Sequence, residues 1–133
     1  VMAVCLNSRR EVLCKEMLQK GSLTEAQVYP RAVAETALLK RANSVLLMHN
    51  HPSGNPLPSP EDGEATDAVR AALSSIGVQL ADHLIVGEPY VYSFAAGVLL
   101  DIRGDSVTTV APEAFNAYRA GQAPALKKVM EPY

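Results

Sequence analysis

Four side chains able to do chemistry together fall within one short stretch: His49, His51, Ser59 and Asp62. The two histidines end an apolar run, Val45-Leu46-Leu47-Met48, that reads as a buried strand. Alternate residues of a strand share a face, so both imidazoles project the same way. The chain then breaks into a Pro/Gly-rich loop and resumes at Ser59-Pro60-Glu61-Asp62, where a helix can begin. A carboxylate carried back at that helix start makes His49, His51 and Asp62 a three-ligand metal set. Catalytic zinc commonly takes three protein ligands and keeps a fourth position for water. Two neutral imidazoles and one carboxylate leave the site net positive, which pulls the pKa of a bound water towards about 7. Ser59, one helical turn before Asp62, is placed to donate a hydrogen bond to the oxyanion of a tetrahedral intermediate. Zinc is the expectation from ligand type, although the same set also suits iron or manganese.

The same residues have an architectural reading. Ser59-Pro60-Glu61-Asp62 is a good helix N-terminus, with serine at the N-cap, proline at the first helical position and acids in the first turn. His49-Asn50-His51 could equally be ordinary polar residues at a strand end. The combination of strand, paired histidines, loop and Ser-x-x-Asp favours chemistry over either part alone.

The elements that must position these residues follow from periodicity. Val1 to Leu6 and Glu11 to Lys20 read as two strands hairpinned through Asn7-Ser8-Arg9-Arg10, closed by Gly21-Ser22. Ala26 to Tyr29 reads as a short extended piece leading into a helix at Pro30. In that helix Val33, Ala34, Ala37, Leu38 and Ala42 form the apolar stripe, while Arg31, Glu35, Lys40 and Arg41 face out and Asn43 is a left-handed stop. Val45 to Met48 is apolar on both faces, as in an interior strand. A second helix spans Pro60 to Ile76, with Ala65, Val69, Ala72, Leu73 and Ile76 inward and Gly77 as its cap. Val78 to Val86 returns as a strand and Tyr90 to Phe94 pairs back onto it; after Gly97 the pattern weakens, and Val98 to Ile102 is simply apolar. Residues 1–103 are expected to form one α/β domain, a mixed sheet flanked by helices. Residues 104–133 form a C-terminal extension packed on it, with a short helix near Pro112 to Arg119.

Composition bounds the function classes. The 133 residues are 48% hydrophobic and 20% charged, ordinary for a globular chain. Twelve basic against fourteen acidic side chains give a net charge of −2, so there is no basic footprint for nucleic acid. No apolar run approaches the roughly 20 residues of a membrane helix, and no signal peptide is visible. The expected location is therefore cytoplasmic, with Cys5 and Cys14 as reduced thiols. Nothing specifies an oligomeric state. Asp82, among the apolar residues Val78, Leu80, Leu84 and Val86 on one strand face, needs a partner. It is either an outer support for a ligating histidine or the member of an ion pair or backbone contact elsewhere. His83, on the opposite face, is given no ligand role.

His49-Asn50-His51-Pro52, six residues, then Ser59-Pro60-Glu61-Asp62 resembles the His-x-His-Pro-x6-Ser-x2-Asp signature of the JAMM (JAB/MPN) metalloproteases. Pro30-Arg31, His49-Asn50-His51-Pro52-Ser53-Gly54 and Asp82-His83-Leu84-Ile85-Val86-Gly87 resemble the RadC branch, over roughly Val1 to Gly97. The resemblance implies a cytidine-deaminase-like fold, a curved mixed sheet with helices. It carries zinc ligation onto His49, His51 and Asp62, the oxyanion-side role onto Ser59, and peptide or isopeptide hydrolysis onto the domain, with a peptide or protein as substrate. It also implies a glutamate general base just before the first strand, which here falls at or before Val1. The family's Glu after Pro-Arg is replaced by Ala32. Without that base, proton transfer to the leaving amine loses roughly 10²–10⁴-fold. Glu11, Glu16 and Glu35 are the nearby substitutes in this chain. Two competing functions stay open: a DNA-repair-associated accessory protein, and a metal-binding but catalytically silent interaction module.

Overall fold

The structure, a computed structural model, describes residues 1–18, 28–51, 55–87, 89–104 and 106–111. The expected turns at Gly21-Ser22 and Pro52-Ser53-Gly54, the segment Ala26-Gln27 and the helix near Pro112 to Arg119 lie outside the described residues. The elements are β1 (Met2–Leu6), β2 (Val12–Met17), α1 (Val28–Leu39), β3 (Ser44–Asn50), α2 (Pro60–Ser75), β4 (Gln79–Gly87), β5 (Tyr90–Ser93), β6 (Val98–Asp101) and β7 (Thr108–Thr109). Their strands join in the order β2-β1-β3-β4-β5-β6-β7, the mixed α/β class expected. β3 is interior, as its two-sided apolar character requires.

The chain divides into two compact units, residues 1–49 with 58–84 and residues 50–57 with 85–133. In the first, β1 pairs antiparallel with both β2 and β3, setting Cys5 opposite Cys14 and Val45, and Ala3 opposite Leu47. Cross-strand partners share a face, and onto this face α1 and α2 deliver Val33, Ala37, Val69 and Leu73, all at most 1% exposed. The two helices also pack on each other. Burying a Leu or Val of this kind contributes about 1.5–3 kcal/mol. Strand alternation from Val45 and Leu47 then puts His49 on the same helix-covered face, 8% exposed.

Both helices end in a Schellman arrangement. In α2 the amide of Val78 donates to Leu73 O, and that of Gly77 to Ser74 O, with Gly77 at φ 73°. In α1 the amide of Ala42 donates to Ala37 O, and that of Arg41 to Leu38 O. The left-handed residue there is Arg41, at φ 53°, and not Asn43 as the sequence suggested. Other local expectations also shift. Val28 and Tyr29 are already helical, which leaves Pro30 in the first turn, where its missing N–H is harmless. Leu38 is 58% exposed, because it sits about 100° round the helix from Ala37. Thr66, unassigned by hydrophobic periodicity, is buried in the α2 stripe together with Val69 and Leu73.

In the second unit β5 and β6 pair antiparallel, and Thr108 and Thr109 add β7 opposite Asp101 and Leu100. Tyr90 and Leu99 form its small core with Leu57, Tyr92 and Val110. The Arg103 guanidinium lies over the Tyr90 ring, 5.5 Å from its centroid, and holds the Asp101 carboxyl below the usual carboxylate range through hydrogen bonds. No described helix is long and apolar enough to cross a membrane.

Burial, reinforced by the hydrogen bond that the Cys5 thiol donates to Cys14, pushes the Cys5 thiol up to about 12. Only the thiolate reacts readily, and Cys14 is half-buried where Cys5 is fully buried. Mass-spectrometric mapping after brief iodoacetamide treatment of the folded protein at pH 8 will find Cys14 alkylated well before Cys5.

Candidate metal centre

α2 begins where its sequence says it should. Ser59, in extended conformation, accepts a hydrogen bond from the Asp62 amide at its Oγ (3.1 Å), and Asp62 Oδ2 accepts one from the Ser59 amide (2.8 Å). This reciprocal box satisfies two amides that a helix start leaves without intrahelical partners. It also fixes the Asp62 carboxylate in the first turn, where the helix dipole favours negative charge. The other oxygen, Oδ1, is 3.4 Å from Nε2 of His49. The architectural and chemical readings of Asp62 are therefore compatible, one on each oxygen.

His49 is held from behind. Its Nδ1 is 2.8 Å from Nε2 of His83, whose own Nδ1 is 2.6 Å from Thr66 Oγ1. The rings of His49 and His83 are tilted by 48° with centroids 4.8 Å apart. Thr66, one turn after Asp62 on α2, donates from Oγ1 to the Asp62 carbonyl at 2.7 Å. His49, Thr66 and His83 are 8%, 1% and 5% exposed. Burying such polar groups without partners costs about 1–3 kcal/mol apiece, and here they bond to one another.

His51 is oriented differently. Its Nδ1 is 2.8 Å from the Asn55 carbonyl oxygen. A carbonyl only accepts, so Nδ1 carries the proton, and a neutral His51 has its lone pair on Nε2. One ligand atom from each of His49, His51 and Asp62 lies within 4.8 Å of the other two. Two imidazole nitrogens and a carboxylate oxygen grouped this closely make a donor set that fits a divalent cation.

The other residues singled out in the sequence are placed as follows. Ser59 is the N-cap of α2. Asp82, half-buried, accepts from the amide of its neighbour His83 at 2.7 Å. The side chain found against the back of His49 is that of His83, to which no ligand role is given from the sequence alone. In β4 the fully buried positions are His83, Ile85 and Gly87, while Asp82, Leu84 and Val86 are only partly covered. Glu11 accepts from Asn7 Nδ2 (3.1 Å), Glu16 faces Lys40 (3.8 Å) and Glu35 pairs with Arg31 (3.0 Å). These exposed contacts are ordinary surface pairs, worth up to about 1 kcal/mol. Thr66 and His83 were missed because a threonine in a helix and a histidine in a strand carry no spacing signal. The one hint was that Thr66 follows Asp62 at i+4, on the same helix face.

Comparison with known proteins agrees with the geometry. The family model described as the RadC-like JAB domain matches residues 1–99. The chain is 46% identical over 99 residues to UPF0758 protein Smlt0399 of Stenotrophomonas maltophilia, covering 74% of this chain and 42% of that protein. It is 42% identical over 97 residues to UPF0758 protein STH371 of Symbiobacterium thermophilum, again covering 42% of the relative. With UPF0758 protein YfjY of Escherichia coli it shares 40% identity over 99 residues, or 62% of that protein. The chain thus spans less than half the length of the first two relatives.

The capping box predicts a measurable stability effect. Ser59→Ala will lower unfolding free energy by about 0.5–2 kcal/mol, and Ser59→Gly by only a few tenths, as read by urea denaturation followed by circular dichroism.

Proposed function

The chain belongs to the RadC-like JAB domain family, and from that premise we propose that it is a zinc-dependent hydrolase of the JAMM type. In this reading it is a metallopeptidase acting on peptide or isopeptide bonds of a peptide or protein substrate. The observation that carries the proposal is the approach of His49, His51 and Asp62 ligand atoms to within 4.8 Å of one another. The signature His49-x-His51-Pro52 with Ser59-x-x-Asp62, matched residue by residue, supports it.

His49, His51 and Asp62 would hold the ion, and a bound zinc supplies a Lewis-acidic centre that brings the pKa of water down towards neutrality. The chain's own residues do the rest. The Asn55 carbonyl fixes the ring orientation of His51 through Nδ1. Ser59 fixes the Asp62 carboxylate through its amide. The Ser59 hydroxyl accepts from the Asp62 amide, and a hydroxyl has one hydrogen of its own to give. That hydrogen is the donor offered to the oxyanion formed when water adds to a substrate carbonyl, an interaction worth about 2.7–4 kcal/mol in comparable hydrolases. The proton relay expected of a glutamate base is assigned to no residue of this chain. Glu11, Glu16 and Glu35 each have surface partners instead.

Two measurements test the reading. Zinc content by inductively coupled plasma mass spectrometry is expected near one equivalent for the wild type and near zero for His51→Ala; equal content in both contradicts it. Cleavage of a mixed peptide library is expected to stop with a chelator and in Asp62→Asn, and to return when zinc is restored to the wild type. Chelator-insensitive cleavage would exclude a metallopeptidase.

A further inference from the structure

The chain from His49 through His83 and Thr66 to the Asp62 backbone has an internal direction that proton counting supplies. The Asp62 carbonyl can only accept, so the single Thr66 hydroxyl hydrogen is spent on it, at 2.7 Å. Towards His83 the same hydroxyl oxygen has only lone pairs to offer. The 2.6 Å contact to His83 Nδ1 must therefore be donated by the ring N–H. A neutral His83 protonated at Nδ1 has its lone pair on Nε2, and that atom faces His49 Nδ1 at 2.8 Å. His49 must in turn donate from Nδ1. Its own lone pair is left on Nε2, the atom turned towards Asp62 Oδ1.

We propose that Thr66 and His83 are positioning residues that fix His49 as its Nδ1–H tautomer, so that Nε2 is presented to the metal. This inference rests on the metal-site reading above and assigns function to two residues outside the signature. Histidines that ligate metals usually donate their second ring nitrogen to a carboxylate or a carbonyl. Here the acceptor is another neutral imidazole, which accepts only in one tautomer and so needs Thr66 to select it. Asp62 closes the loop, because its carbonyl takes the hydroxyl hydrogen while its carboxylate faces the nitrogen that the relay exposes. One helical turn of α2 therefore provides both the acidic ligand and the group that orients an imidazole ligand from β3.

The test reads tautomers and affinity separately. In ¹⁵N-histidine-labelled protein at pH 8, long-range ¹H–¹⁵N spectra are recorded with and without one equivalent of Zn²⁺, and zinc affinity is measured by competition with a chromophoric chelator. The wild type is expected to show His83 protonated at Nδ1 in both states. Thr66→Val should convert His83 to the Nε2–H form and weaken zinc binding about 10–100-fold, while Thr66→Ser should restore both. His83→Gln, whose amide oxygen can accept from His49, should retain affinity that His83→Leu loses. An Nε2–H His83 in the wild type, or unchanged zinc affinity in Thr66→Val with the fold intact by circular dichroism, would overturn the proposal. Failure of the metal reading is distinguishable, since His51→Ala would then bind zinc as the wild type does while the His83 tautomer stayed as stated.

Discussion

The Asp62 carboxylate is where the fold and the site meet. One oxygen closes the first turn of α2 by accepting the Ser59 amide, and the other faces His49 at the end of β3. A carboxylate placed by a capping box has little freedom, since its rotamer is set by the helix that it starts. The carboxylate is thus positioned by secondary structure and needs no further loop to hold it. The same constraint orders the sequence, with an apolar strand to bury His49 and a serine three residues before the aspartate.

The layer beneath α2 changes character along its length. Val69 and Leu73 pack with Val45 and Leu47 in a dry cluster, while Thr66 and His83 sit equally deep but bond to each other and to His49. Polar groups at such depth are unfavourable alone and acceptable as a satisfied network. Leu or Val in place of His83 would take away the nitrogen that faces the buried Nδ1 of His49, so the Thr66–His83 pair contributes to stability as well as to the proposed orientation of that ring.

The sequence revealed the parts of this arrangement that are local. His49 and His51 follow from strand alternation, and Ser59 to Asp62 from helix capping, each within a few residues. The hairpin of β1 and β2, the interior position of β3 and the Gly77 cap were legible for the same reason. What was not legible depends on tertiary partners. His83 is 34 residues from His49, and Thr66 is 17 from His83; neither has a periodic neighbour that marks it. Asp82 drew attention as a carboxylate among apolar residues, yet its backbone-directed contact leaves the inner face to the next residue, a matter of which strand face α2 covers. Likewise Leu38 fits the helical stripe by type but turns past the edge of what α1 buries, and Arg41 adopts a left-handed conformation that composition assigns to Asn43.

The central claim, that His49, His51 and Asp62 grip one divalent ion, is tested most directly by anomalous scattering from crystals grown with zinc. Data collected on both sides of the zinc absorption edge should place a single strong peak about 2.0–2.2 Å from an imidazole nitrogen of each histidine and from an Asp62 oxygen. A peak elsewhere, or no peak while those three side chains keep their present contacts, would contradict the account.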